Sequence, residues 1–493
     1  MDRLLPAAGL DPRICERARL ARDVRFDGLF YTAVTSTGIY CRPVCPAPTP
    51  RAAHVRYYPS AAAAAAAGFR PCLRCRPEAA PGSPLHQAKS ALVAGALRLI
   101  GEGALDDGSL PALAARIGVG ERHLRRLFAE EIGASPLAVA ATRRLLFAKQ
   151  LLLETALPVA RIAEAAGYAS LRRFNAAFLA AWGKPPRALR RLPAEARGAP
   201  PDAPASGTVR LRLPYRAPYD FAQLLAFLAA RAIPGVEVVD GEGYRRSIAV
   251  DGVPGWFAVS RVPGEDALAL QVAHPATAAL GVIAARVRRL FDVDADPRAI
   301  GAVLRRDALL QPLVRRWPGQ RLPGAWDPFE LAVRAVLGQQ VSVAAARTLA
   351  ARVAAAYGTP LQAGDPAAPV LLFPTPARLA DAPLEQQGLT RARAATVRAL
   401  AGALHGGQLA LRGEQPLEEV ERALVAVPGI GPWTAQYIAM RALGHPDAFP
   451  AADLVLRRVA GDGRSLTPRE LALRADAWRP WRAYAVMLLW RSA

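Results

Sequence analysis

Residues 427–459 read VPGIGPWTAQYIAMRALGHPDAFPAADLVLRRV. Pro428, Gly429 and Gly431 force a tight hairpin between two helices. Glycine there lets backbone amides approach an anion closely, and the N-terminus of the next helix adds partial positive charge. The pattern is a helix-hairpin-helix, whose amides clamp a phosphate backbone without reading its sequence. Further on, Asp453 follows Pro450 at the expected start of a helix. A carboxylate held near a clamped nucleic-acid backbone can stabilise a cationic sugar or orient an attacking water. Taken alone, Asp453 reads as an N-cap; the hairpin upstream favours the chemical role.

Towards the N-terminus lies a second centre. Cys41-x3-Cys45 and Cys72-x2-Cys75 form two close pairs, the spacing of a tetrahedral four-thiolate zinc site. Arg42, Arg51, Arg56, Arg70, Arg74 and Arg76 crowd the same segment, a basic setting suited to a polyanion. The whole chain is basic: 63 Lys and Arg against 41 Asp and Glu give a net charge of +22. Guanidinium groups bind phosphate bidentately, so the bias suits DNA as a partner, although an Ala- and Arg-rich chain also fits a GC-rich genome. No signal pattern opens the chain and no apolar run approaches a membrane span, so a cytoplasmic protein with no membrane partner is expected. In a reducing compartment paired thiols favour zinc over disulfides. Cys15 lies outside the pattern and reads as a spare thiol.

Between these ends the organisation is legible in outline. Ala61 to Ala67 follow Ser60 and precede Gly68, an N-cap, a run of the best helix former and a stop, so a short helix links the cysteine pairs. RPEAAPGSPLHQ after Cys75 marks a boundary, and LPAEARGAPPDAPASGT at 192–208 is a linker without core residues. The helical section between them holds one unit twice: LPALAARIGVGERHLRRLFAEEIGASP and VARIAEAAGYASLRRFNAAFLAAWGKPP. In each, a small-residue helix ends at Gly118 or Gly167 and a basic helix follows, the helix-turn-helix pattern whose second helix enters the major groove. Candidate groove residues are Arg122, His123, Arg125 and Arg126, then Ser170, Arg172, Arg173 and Asn175. Beyond 208, alternating apolar residues predict strands around one helix near Phe221 to Ala232, and from about 297 helices return with prolines as punctuation.

Residues 1–80 resemble the N-terminal domain of the Ada alkylation-response proteins through TGIYCRPVC at 37–45 and GFRPCLRC at 68–75. Residues 89–192 resemble the AraC-type DNA-binding domain. From about 209 onward the chain is similar to the AlkA-type 3-methyladenine DNA glycosylases, through LGQQVS at 337–342, VPGIGPWTA at 427–435, FPAADL at 449–454 and RPWRAYAVMLLW at 479–490. The fold class expected is multi-domain, mostly α with α+β parts. A small zinc-binding domain spans 1–82, an AraC-type double helix-turn-helix 86–192, an AlkA N-terminal-like α+β domain 207–295 and an all-α helix-hairpin-helix glycosylase domain 296–493.

The resemblance implies roles. Cys41, first cysteine of CRPVC, is the methyl acceptor from DNA methylphosphotriesters, and zinc, held by Cys41, Cys45, Cys72 and Cys75, keeps its sulfur deprotonated. Methylation lowers the negative charge of the cluster and strengthens DNA binding. No Pro-Cys-His-Arg motif is present and no cysteine follows Cys75, so O6-methylguanine repair and a four-cysteine iron–sulfur cluster are excluded. Asp453 falls on the catalytic aspartate. Trp433 stands where lyase-type relatives carry a lysine, so hydrolysis without strand cleavage is expected. Trp433, Tyr437 and Trp490 line the base pocket by stacking and cation–π attraction, although a Trp in VMLLW also reads as core. Gln339 and Gln340 lie beside the substrate, Gln340 where relatives insert a wedge into the gap left by the flipped base. Gly429 and Gly431 belong to the DNA clamp. The function expected is a monomeric alkylation sensor and repair enzyme that excises 3-methyladenine-type purines and binds a promoter operator, with RNA polymerase a further candidate partner. Two alternatives are a transcription regulator with a catalytically weak glycosylase half, and a purely structural zinc site.

Overall fold

The computed structural model describes residues 10–82, 90–190, 208–362, 365, 368–461 and 464–493. The linker read at 192–208 lies outside the described residues up to 207, as does the boundary segment from 83 onward. Two compact units result: Met1–Arg216 with Asp266–Ala285, and Ala217–Glu265 with Arg286–Ala493. The division passes through the section expected as one α+β domain. Strand Val209–Pro214 pairs antiparallel with Ala267–Ala273, and the helix Pro136–Glu154 holds it: Gln150 donates to the Arg212 carbonyl at 2.8 Å, and the Arg212 amide donates to Glu154 at 3.0 Å.

In the first unit a four-stranded sheet runs in the order Val55–Tyr58, Tyr31–Val34, Ile39–Cys41, Arg70–Pro71, antiparallel except for the last pairing. The alanine run is helical over Ala61–Ala66, and Ser60 Oγ accepts from the Ala63 amide. A helix of alanines has apolar faces all round. Ala61 and Ala64 pack with Tyr31 and Tyr40 of the sheet, whereas Ala62 and Ala63 join a core with Leu97, Phe128 and Ile132. The Ser60 hydroxyl also donates to the Ile132 carbonyl at 2.9 Å.

Both helix-turn-helix units are present: Leu110–Ile117 with Glu121–Ile132, and Val159–Ala165 with Leu171–Trp182, joined by Pro136–Glu154. Their second helices bury Leu124, Phe128 and Ile132, or Phe174, Phe178 and Trp182, one side chain every fourth residue, which aligns them along one face. Gly118 stops the first helix at φ +80, a left-handed cap that favours glycine.

The second unit contains an antiparallel meander, Glu237–Val239, Gly243–Val250 and Val253–Arg261, the helix Phe221–Ala229, and a helical bundle around a core that includes Val336, Val397, Leu424, Ile438 and Trp478. Prolines at the first helical turn open Pro297–Leu304, Pro328–Leu337, Pro432–Arg441 and Pro468–Ala475, where a missing N–H costs nothing. Asp292 in this unit accepts from Tyr484 Oη at 3.0 and 3.1 Å and from the Leu322 amide at 3.0 Å. Burial outweighs the nearby Arg321 charge and raises its carboxyl to about 7. A carboxyl raised in the folded state stabilises the fold fully below its unfolded pKa, near 4, and that stabilisation is lost as pH rises through 7. Asp292→Asn is therefore expected to remove part of the fall in melting temperature between about pH 4 and pH 7. An unchanged difference between those two melting temperatures contradicts this role.

Candidate active site and metal centre

The hairpin forms between helices Leu417–Val425 and Pro432–Arg441. Gly429 has φ +88, and a Cβ on it would collide with the Thr396 hydroxyl, so both backbone and space require glycine. A Cβ on Gly431 would meet nothing within 4 Å. Among the described residues the amides of Gly429 and Gly431 find no acceptor, which leaves two N–H groups available at a helix start.

Asp453 is the N-cap of Leu454–Val459, with Oδ1 accepting from the Leu456 amide at 3.0 Å. The cap does not exhaust the carboxylate. Trp433 Nε1 donates to Oδ2 at 3.0 Å and Trp490 Nε1 to Oδ1 at 3.2 Å. The two readings of Asp453 are compatible: capping fixes the carboxylate's direction, and the two indoles hold it at the edge of a cavity of about 520 Å³ that Trp433, Tyr437, Asp453 and Trp490 all line. Trp433 and Tyr437 lie one helical turn apart with stacked rings, centroids 5.3 Å apart at 10°. Trp490 adds a tilted ring 6.2 Å from Tyr437. It is half-buried and hydrogen-bonded, not enclosed in core.

Gln339, expected beside the substrate, spends its amide elsewhere. It donates to the Gly429 carbonyl at 3.0 Å and to Thr434 Oγ1 at 3.1 Å, bracing the hairpin, while Arg393 donates to its carbonyl at 2.7 Å. Gln340 is exposed at φ +54. A left-handed backbone at a non-glycine residue is uncommon.

In the first unit the four expected cysteines converge. Their sulfurs lie within 4.8 Å of one another, and among the described residues only they form a group of metal-ligating side chains. Cys41 ends its strand and, like Cys45, is partly exposed, whereas Cys72 and Cys75 are buried. Amides of Arg42 and Arg74 donate to Cys75 Sγ at 3.3 Å and Cys72 Sγ at 3.4 Å, which favours sulfur in its anionic form. Sulfurs this close cannot all carry charge without a cation among them. Hydrogen bonding with Cys45, then with Cys72 and Cys75, pushes the Cys41 thiol up, and Cys41 in turn pulls the Cys72 thiol down. The donor set fits a thiophilic metal ion. Cys15 is buried apart from them, its thiol raised to about 11 by burial and Asp11, which makes it inert.

The basic segment is less free than its sequence suggests. Arg42 pairs with Asp27 and donates to the Cys75 carbonyl at 3.0 Å, and Arg76 pairs with Glu78 and Glu154, each at 3.2 Å. Arg51, Arg56, Arg70 and Arg74 stay exposed. On the helix-turn-helix units Arg122, His123, Arg125, Arg126, Arg172, Arg173 and Asn175 are all exposed. Arg125 pairs with Glu121, and Arg126 lies 3.1 Å from His123 Nδ1. Ser170 caps its helix by accepting from the Arg173 amide at 3.5 Å, so its hydroxyl is a local cap.

The sequence does not single out the other charged groups of the cavity: Arg231, Glu237, Arg246, Glu330, Arg334, Arg347 and Arg441 also line it. They come from separated segments, and no motif links them.

Four families match along the chain. Residues 14–78 match the metal binding domain of Ada, 113–192 a helix-turn-helix domain, 210–327 the AlkA N-terminal domain, and 333–483 the HhH-GPD superfamily base excision DNA repair proteins. A probable bifunctional transcriptional activator/DNA repair enzyme AlkA of Mycobacterium tuberculosis is 44% identical over 478 residues, 97% of this chain and 95% of that protein. DNA-3-methyladenine glycosylase 2 of Escherichia coli is 37% identical over 284 residues, 56% of this chain and 95% of that enzyme. The structure of a 3-methyladenine DNA-glycosylase from Archaeoglobus fulgidus shares the fold over 57% of this chain and 97% of its own length, at TM-score 0.51 and 21% identity. With the first of these relatives matched almost end to end, the chain belongs to the family of bifunctional transcriptional activator/DNA repair enzymes named AlkA.

Proposed function

We propose that this chain excises alkylated purines of the 3-methyladenine type from double-stranded DNA by hydrolysis and captures methyl groups from DNA methylphosphotriesters on Cys41. The observation that carries the excision reading is the Asp453 carboxylate, held by the indole N–H groups of two cavity tryptophans downstream of a hairpin whose glycine amides find no acceptor among the described residues. In this reading the amides of Gly429 and Gly431 bind a phosphate, Gln340 fills the gap in the duplex, and the purine stacks against Trp433, Tyr437 and Trp490. Positive charge growing on the sugar faces Asp453, which stabilises it and orients the water that completes hydrolysis. Trp433 supplies no amine, so no Schiff base forms and the abasic strand stays intact.

For the first unit, Zn²⁺ is the ion that Cys41, Cys45, Cys72 and Cys75 hold; when bound it keeps thiolates ionised at neutral pH. The sulfur of Cys41, a partly exposed residue where Cys72 and Cys75 are buried, attacks the methyl carbon, an S–C bond forms as the C–O bond breaks, and the phosphate recovers its negative charge. The exposed arginines of the two helix-turn-helix units contact a promoter operator, and the methylated centre binds it more tightly because it repels phosphate less. The working units are 1–82, 86–192, 207–295 and 296–493, in a cytoplasmic protein that acts as a monomer and meets RNA polymerase at its promoter.

Incubating the protein with methylated duplex DNA tests both halves. Free 3-methyladenine is expected in solution, with one methyl group on Cys41 by peptide mass mapping and operator binding strengthened. Absence of released base refutes excision, and a methyl group on another residue refutes the assignment of Cys41. Replacing Cys41 is expected to leave base release intact.

A further inference from the structure

Arg441, last residue of the helix Pro432–Arg441, is 2% exposed, yet among the described residues no carboxylate pairs with it. Its Nε donates to the Pro323 carbonyl, Nη2 to the Gly324 carbonyl at 3.4 Å, and Nη1 to the Tyr437 hydroxyl oxygen at 3.0 Å. The acids of the cavity are committed elsewhere: Glu330 to Arg246 and Arg334, at 2.6 and 2.8 Å, and Glu237 to Arg334 at 2.9 Å. A buried guanidinium without an acid partner is costly. What Arg441 has in place of an acid is a phenol oxygen and the faces of Phe227 and Tyr437, 4.6 and 5.8 Å away.

A phenol oxygen has two acceptor positions and one proton to donate. Arg441 occupies one acceptor position, and Arg231, beyond the end of helix Phe221–Ala229, faces the same oxygen. No acceptor for the Tyr437 proton occurs among the described residues. Stacking on Trp433 fixes the ring, and Tyr437 lines the cavity. The single unspent bonding position of this side chain is its O–H.

We propose that Arg441 is a positioning residue that turns the Tyr437 hydroxyl into a directed hydrogen-bond donor for an acceptor atom, a ring nitrogen or carbonyl oxygen, on the edge of the purine held in the cavity. The proposal rests on the excision reading and adds to it. Stacked rings recognise any flat cation, whereas a fixed donor also asks what the base carries on its edge. Charged groups meet this phenol from several elements: Arg441 on its own helix, Arg231 after Phe221–Ala229, Arg334 on Pro328–Leu337, and Asp453 across the Trp433 ring. Burial pushes the phenol up, but the guanidiniums of Arg441, Arg231 and Arg334 together bring it below its ordinary value. An ionised phenol has no proton to give, so the donor disappears on the alkaline side.

The test is single-turnover release of 3-methyladenine from methylated duplex DNA between about pH 6 and pH 10, with binding of free 3-methyladenine followed by quenching of indole fluorescence. The wild type is expected to lose rate on an alkaline limb. Tyr437→Phe is expected to release and bind the base about tenfold less well at neutral pH, the equivalent of one hydrogen bond, and to show no limb. Arg441→Met is expected to move the limb to higher pH, and Arg441→Lys to restore part of the wild-type profile. Melting curves report folding, and should Arg441→Met fail to fold, Tyr437→Phe decides alone. A wild type that releases the base while Tyr437→Phe keeps the same rate and limb overturns this inference only. A wild type that neither releases nor binds 3-methyladenine overturns the excision reading and this inference with it.

Discussion

Asp453→Asn is expected to release 3-methyladenine on the order of 10²-fold or more slowly than the wild type while binding undamaged duplex with nearly the same affinity. The side chain keeps its shape and an acceptor for the Leu456 amide, so helix Leu454–Val459 stays capped. What it loses is charge, together with the ability to accept from both Trp433 and Trp490: an amide presents one oxygen, and its NH₂ meets an indole N–H without bonding to it. In the proposed reading DNA affinity rests instead on the amides of Gly429 and Gly431 and on arginines, none of which changes. The measurement is base release under single-turnover conditions beside equilibrium duplex binding. Release at the wild-type rate removes Asp453 from the reaction; a parallel collapse of binding shows that the variant disturbed the hairpin.

A second large effect is expected in the other unit. Changing Cys72 and Cys75 together to Ser removes the two buried ligands, so metal analysis is expected to fall from about one zinc per chain to none. Structural zinc sites contribute binding energy directly to folding, about 10 kcal/mol or more in small zinc domains. The melting transition of the first unit is therefore expected to drop far below the wild-type value or vanish. Because thiolates must lose protons to bind, acidification of the wild type is expected to release the metal too. Full zinc content in the double variant disproves the four-thiolate centre.

What was legible in the sequence and what was not divides along physical lines. Local signals survived folding: Ser60 and its alanines, the Pro-Gly hairpin, the helix start at Asp453 and the two cysteine pairs each specify their conformation over a few residues. What the sequence does not show is which distant partners its polar side chains take. Arg42 pairs with Asp27, Arg76 with Glu154, and Gln339 with the hairpin ninety residues on, contacts that no local pattern announces. Ser170 makes a strictly local bond instead, accepting from the Arg173 amide. Strand Val209–Pro214 was expected, but its anchoring by Gln150 and Glu154 was not, and that anchoring places it in the first unit. The guanidiniums of the cavity were invisible because arginine is common everywhere in this chain.

The helix Ala61–Ala66 acts as a shim. Only methyl groups separate the cysteine-bearing sheet from the core of helix Glu121–Ile132, and at the far end a Cβ on Gly133 would already stand 3.1 Å from Pro59 and 3.2 Å from Ala63. There is no slack in which one side could be re-dimensioned without the other. A chimera joined just after Cys75 would mate surfaces cut to different tolerances, whereas one that carries residues 10–190 as a block keeps the fit. The portable part of this protein is larger than either motif that announces it.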